Sequence, residues 1–134
     1  MNPVQLDWLI DRRLTEVKKE DFTWVFTFET GAFINAQTFW RLIANSSIIV
    51  TSEDHDQIFG LPEKVNAGKR VTDTVGNRQV LNYSCHKPCY DLIISFESGA
   101  RLEFFNTSCG YESWQALNGN SHTICMGGGD LAFF

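Results

Sequence analysis

Phe22-Thr23-Trp24-Val25-Phe26-Thr27-Phe28-Glu29-Thr30-Gly31-Ala32 is the stretch on which the fold turns. Phe22, Trp24, Phe26 and Phe28 occupy every second position, alternating with Thr23, Val25, Thr27 and Glu29. A period of two marks a strand with one strongly apolar face. Gly31 stands where the chain must reverse, and glycine admits the positive φ of a tight hairpin. Ile34 and Ala36 carry the alternation back toward the same core.

This stretch has an echo. Phe96-Glu97-Ser98-Gly99-Ala100 matches Phe28 to Ala32, with Leu92 and Ile94 before it and Leu102 and Phe104 after it. Other blocks pair in the same order: Arg12-Arg13-Leu14-Thr15-Glu16 with Lys69-Arg70-Val71-Thr72-Asp73, and Trp40-Arg41-Leu42 with Trp114-Gln115-Ala116. The order predicts an internal duplication, with halves of about 5–62 and 63–134 inside one domain spanning 1–134. Each half reads as a basic leading strand, an aromatic strand, a Glu-x-Gly hairpin, a strand carrying Trp and a closing strand. Ile48-Ile49-Val50 and Thr123-Ile124-Cys125 suit the closing strands. One such unit would leave an apolar face bare, and two can cover each other. The expected fold is mainly β, with α+β as the alternative. It is an internally duplicated antiparallel sandwich or barrel of about eight strands with one or two short helices. The first helix would start at Asn2 and Pro3 and bury Leu6, Leu9 and Ile10. The second would run from Glu53 to Phe59, capped by Ser52 and stopped by Gly60 and Pro62. Glu63 to Lys69 reads as the connector between halves.

Composition narrows the function. A chain of 134 residues suits one domain and can bury about two-thirds of its surface. Hydrophobic residues at 43% against 20% charged describe a globular chain, not a disordered one. A net charge of −5 argues against nucleic acid as a partner. No apolar run approaches the ~18 residues of a membrane span, so a membrane partner is not expected. Met1 to Trp8 shows neither a basic n-region nor an apolar h-region, and a cytoplasmic chain is expected. There Cys85, Cys89, Cys109 and Cys125 would be free thiols. Cys85 and Cys89 flank His86, but zinc sites use tighter pairs and a second distant pair, so no metal and no cofactor are expected.

Three polar clusters compete for attention. In Asp54-His55-Asp56 a histidine stands between two carboxylates, the raw material of a general base or a ligand. Consecutive helical residues diverge, however, and an acidic first turn is the simpler reading. In Tyr111-Glu112-Ser113-Trp114 a carboxylate stands beside two aromatics, a combination that suits a small polar ligand. Trp40 holds the matching place in the first half without a matching glutamate. Strand-spaced aromatics are usually core. Gly127-Gly128-Gly129-Asp130 precedes only a short strand-like segment, so it reads as a turn and not a phosphate cradle. His122 and Cys125, three apart on a strand, should point to opposite faces.

Asn106 to Trp114 carries a Gly-Tyr-Glu-x-Trp motif, followed by Met126-Gly127-Gly128-Gly129-Asp130-Leu131. With Trp40-Arg41-Leu42 and Glu53 to Gly60, these blocks make the chain resemble small bacterial proteins of unknown function, of the DUF6188 kind. The resemblance covers about Leu6 to Phe134. In style the chain is similar to the immunity proteins of bacterial toxin systems. The resemblance and the charge together imply a non-catalytic protein-binding module, with a basic partner such as a toxin drawn in by the negative field. Asp54, Asp56 and Glu112 are the expected contact charges and Tyr111 the aromatic anchor. The alternative is a small-ligand binder or minor enzyme whose pocket lies between the halves, lined by Glu112, Trp114, Trp40 and His55. Either would act as a monomer or homodimer.

Overall fold

A computed structural model describes residues 5–134. The aromatic stretch forms the second strand of a meander: β1 (Leu14–Glu20), β2 (Thr23–Phe28) and β3 (Phe33–Ala36). A hairpin follows, β4 (Trp40–Ala44) and β5 (Ser47–Thr51), then helix α1 (Ala67–Val75). A second meander comprises β6 (Val80–Cys85), β7 (Leu92–Phe96) and β8 (Arg101–Phe104). The last strands are β9 (Trp114–Asn118), β10 (Ser121–Met126) and β11 (Asp130–Phe133).

The strands make two antiparallel sheets, in the orders β1-β2-β3-β9-β10-β11 and β5-β4-β8-β7-β6. Neither sheet closes on itself, so the fold is an open sandwich and not a barrel. The described residues form eleven strands, more than the expected eight. The excess arises chiefly because β3 and β4, expected as one strand, lie in different sheets, as do β8 and β9. Each meander hands its hairpin to the opposite layer.

Alternation sets what each face does. Trp24, Phe26 and Phe28 on β2, and Leu92, Ile94 and Phe96 on β7, point inward and are buried. The Phe26 ring lies edge-on to Trp40 at 5.2 Å and to Phe104 at 4.9 Å, which pins β2 onto β4 and β8 across the core. Phe22 shares the parity of Trp24 but sits in the β1–β2 turn, 93% exposed, and takes no part in that core.

The two Glu-x-Gly hairpins share their hydrogen bonds, although Thr30 has a positive φ of +65° and Ser98 does not. The Glu29 carboxylate accepts from Arg13 N at 2.8 Å, and that of Glu97 from Gln79 N at 3.3 Å. Phe28 N donates to Ala32 O and Phe96 N to Ala100 O. Gly31 and Gly99 have φ of +80° and +90°. Arg13 and Gln79 face each other in an isolated antiparallel bridge. In hydrogen bonding the counterpart of Arg13 is therefore Gln79, not Arg70.

The block Lys69 to Asp73, expected as a strand, lies in α1. Ala67, Val71 and Val75 recur every four residues and are buried, and the Asn66 side chain caps the helix by accepting from Lys69 N. Helical spacing thus outweighs the likeness to Arg12–Glu16. The helix covers β1 and β5. The first expected helix is a single 3₁₀ turn, Asp7–Leu9, burying Leu9, with Leu6 buried just before it. Its proposed cap at Asn2 lies outside the described residues. The second expected helix shrinks to the 3₁₀ turn Ser52–Asp54, capped by Thr51 and not Ser52.

A Cβ on Gly68 would stand 2.8 Å from the backbone oxygen of Val17. Alanine normally stabilises a helix interior over glycine by up to about 1 kcal/mol. Here Gly68→Ala should instead cost about 1–3 kcal/mol, since α1 must lift from β1. Urea denaturation reads the sign directly.

Candidate functional site

The chain crosses between layers twice at the same end of the sandwich. Residues 37–39 lead from β3 to β4, and residues 105–113 return from β8 to β9. Leaving the ladders frees backbone groups, and the two crossings satisfy one another. Gln37 N donates to Ser113 O at 2.8 Å, and Phe105 N to Phe39 O at 3.1 Å. Thr38 Oγ1 donates to Phe105 O at 2.5 Å and lies 3.0 Å from Thr107 Oγ1. The rings of Phe39 and Phe105 pack at 5.7 Å, and the Arg41 guanidinium lies over Phe105 while donating to the buried Glu103 carboxylate at 2.5 Å.

Above these crossings lie two cavities of about 450 and 490 Å³ that share Gln37, Thr38 and Thr107. The two cavities adjoin along these three residues and together make up a trough. At one end stand Tyr111 and Glu112, at the other Phe22, Lys19 and Glu53. The middle is polar, with hydroxyls from Thr38, Thr107 and Ser108.

Local chemistry explains how the ends are held. Ser108 Oγ accepts from Gly110 N at 3.1 Å and Tyr111 N at 2.9 Å, a turn that leaves the Tyr111 ring 82% exposed. Glu112 Oε2 accepts from Gln115 Nε2 at 2.9 Å, and Gln115 Oε1 pairs with His122 Nε2 at 2.9 Å. Since the Gln115 amide donates to Glu112, its oxygen takes the His122 Nε2 proton. Cys125 points to the opposite face, buried at the core.

The sequence candidates divide. Tyr111 and Glu112 reach the trough. Asp54 does not; its carboxylate accepts from Thr51 N at 2.9 Å and closes a capping box. Its neighbour Glu53 lines the trough instead. His55 is half-buried, its ring edge-on to Trp24 at 5.0 Å, and Nδ1 accepts from Ala67 N at 3.1 Å. That bond places the His55 proton on Nε2 and ties the residue to the start of α1. Asp56 is exposed, its nearest carboxylate oxygen 3.7 Å from His55 Nε2. Trp40 and Trp114 are fully buried, and Trp114 Nε1 donates to Tyr90 O at 3.0 Å. Neither presents surface to a ligand, so the expected pocket of Glu112, Trp114, Trp40 and His55 is not assembled. Phe22, Gln37, Thr38 and Thr107 went unread: strand parity assigned Phe22 to the core, and the crossings leave no periodic signal.

The four cysteines are free thiols. Cys85 and Cys125 are buried, and both lie against Tyr90 O, at 3.5 and 3.8 Å. Cys89 and Cys109 are exposed. Among the described residues no group of three His, Cys, Asp or Glu is placed to hold a metal ion. No helix there is long and apolar enough to cross a membrane. Compared with protein-family models, with curated proteins and with solved structures, the chain matches none.

Burial pushes the Cys85 thiol from an ordinary 9.0 up to about 12, and raises that of Cys125. An unfolded thiol ionises near 9.0 while the folded one keeps its proton. The stability this group contributes is therefore complete below pH 9.0 and is lost as pH rises toward about 12. An aromatic disulfide reagent below pH 9.0 should titrate Cys89 and Cys109 in the folded protein and all four thiols in denaturant. Cys85→Ala should flatten the alkaline fall in stability.

Proposed function

We propose that the chain is a non-catalytic binding module that docks a basic protein through the trough, in the manner of the immunity proteins of the bacterial cytoplasm. The observation that carries this reading is the pairing of an exposed ring and a carboxylate at each end of one depression, Phe22 with Glu53 and Tyr111 with Glu112. Exposed aromatics gain nothing for the fold and serve as anchors when a partner desolvates them. The rim carries Glu53 and Glu112 against one Lys19, and the net charge of −5 supplies the field that draws a partner rich in Lys and Arg. The internal duplication and the kinship with small bacterial proteins of the DUF6188 kind belong to the same proposal. The duplication would explain why the trough falls between the two halves.

The hydroxyl-lined middle of the trough favours a second reading, a small polar ligand held between the halves. Titration calorimetry against the protein encoded beside this gene separates the two. The protein-binding reading expects association that weakens with added salt. Tyr111→Ala and Phe22→Ala should each weaken it about 10-fold or more, roughly 1.4 kcal/mol, with melting temperature unchanged because both rings are exposed. Binding that ignores both substitutions, or no binding, removes this reading.

A further inference from the structure

Two thiols meet inside the core from opposite layers. Cys85 ends β6 in one sheet, Cys125 lies in β10 of the other, and both are fully buried. Both sulfurs donate to a single atom, the carbonyl oxygen of Tyr90, at 3.5 and 3.8 Å. They stand no farther apart than those two lengths laid end to end. A thiol is a weak donor, and this carbonyl has a better one in Trp114 Nε1 at 3.0 Å. Removing both thiol protons would therefore leave no buried oxygen unpaired. A buried cysteine packs as a small apolar residue, and packing alone asks for no convergence of two on one oxygen. The pair also lies under the trough. Cys125 O accepts from Ser113 N at 3.0 Å, and Ser113, which lines the trough, accepts from Gln37 N through its own carbonyl.

We propose that Cys85 and Cys125 are a modification site: under oxidising conditions they join as a disulfide that ties the two layers together beneath the trough. β-Sandwiches accommodate such a bond between their layers. The oxidant is a low-molecular-weight disulfide such as oxidised glutathione. Its S–S bond breaks and the Cys85–Cys125 bond forms. The pair gives up two protons and two electrons, which leave as two molecules of the small thiol. Burial keeps both thiols protonated, so the folded pair exchanges slowly and the bond forms fastest while the chain folds. In reducing surroundings the two remain thiols. The bond closes residues 85–125 into a loop that contains the 105–113 crossing. This site is independent of the binding reading above and stands or falls without it.

The test refolds the whole reduced chain in a buffer of reduced and oxidised glutathione, blocks the remaining thiols by alkylation and maps the linked peptides by mass. The expected product joins Cys85 to Cys125. Its melting temperature should lie about 10 °C above that of the reduced chain, because the bond constrains the unfolded state across a long loop. That difference between oxidised and reduced forms should vanish in Cys85→Ala. It should persist in the double variant Cys89→Ser with Cys109→Ser, which keeps both buried thiols and touches only exposed ones. Cys85 or Cys125 joined to another cysteine, glutathione adducts alone, or both thiols still free after refolding overturns the proposal. A Cys85–Cys125 bond that lowers the melting temperature overturns it as well, since the layers would then be strained and not tied.

Discussion

A strand that leaves one layer for the other abandons its ladder, and its peptide groups must find partners elsewhere. This molecule faces that demand twice at one end, and each crossing answers the other. Gln37 N finds Ser113 O, Phe105 N finds Phe39 O, and Thr38 Oγ1 finds Phe105 O. Each bond contributes only about 1 kcal/mol net, but losing one would leave a partly buried peptide group unpaired at greater cost. The exchange of hairpins, the spacing of the sheets around Phe26 and the existence of the trough all follow from these paired crossings.

The same end shows how one residue type serves opposite purposes. Trp40 and Trp114 begin β4 and β9, immediately after the crossings, and are driven into the core. Phe22 lies in the β1–β2 turn and Tyr111 in the β8–β9 crossing, and both remain outside. The apolar load of the chain is thus split between a continuous core and a few rings set on turns. Acids divide in the same way. Asp54 spends its charge on a cap and Glu103 on Arg41, while Glu53 and Glu112 flank open space.

Some of this was legible from residues alone. The alternation through Trp24, Phe26 and Phe28 and its echo at Leu92, Ile94 and Phe96 state a two-faced β protein, and the Glu-x-Gly turns state where it reverses. Tyr111 and Glu112 were legible as a cluster. Helix α1 was hidden because Lys69–Asp73 resembles the leading strand, and because a nine-residue helix offers only two turns of apolar spacing. The trough was hidden because its lining comes from turns and crossings, which have no period.

The sequence by itself determined the faces: which residues of each strand seek the core and where tight turns fall, since these follow from local period and glycine conformation. Only the tertiary structure decided which sheet each hairpin joins, which aromatics stay outside, and that Glu53 and Glu112, far apart in the chain, line one trough. Those outcomes depend on which distant backbone groups meet at the crossings, and no residue carries that information within its own neighbourhood.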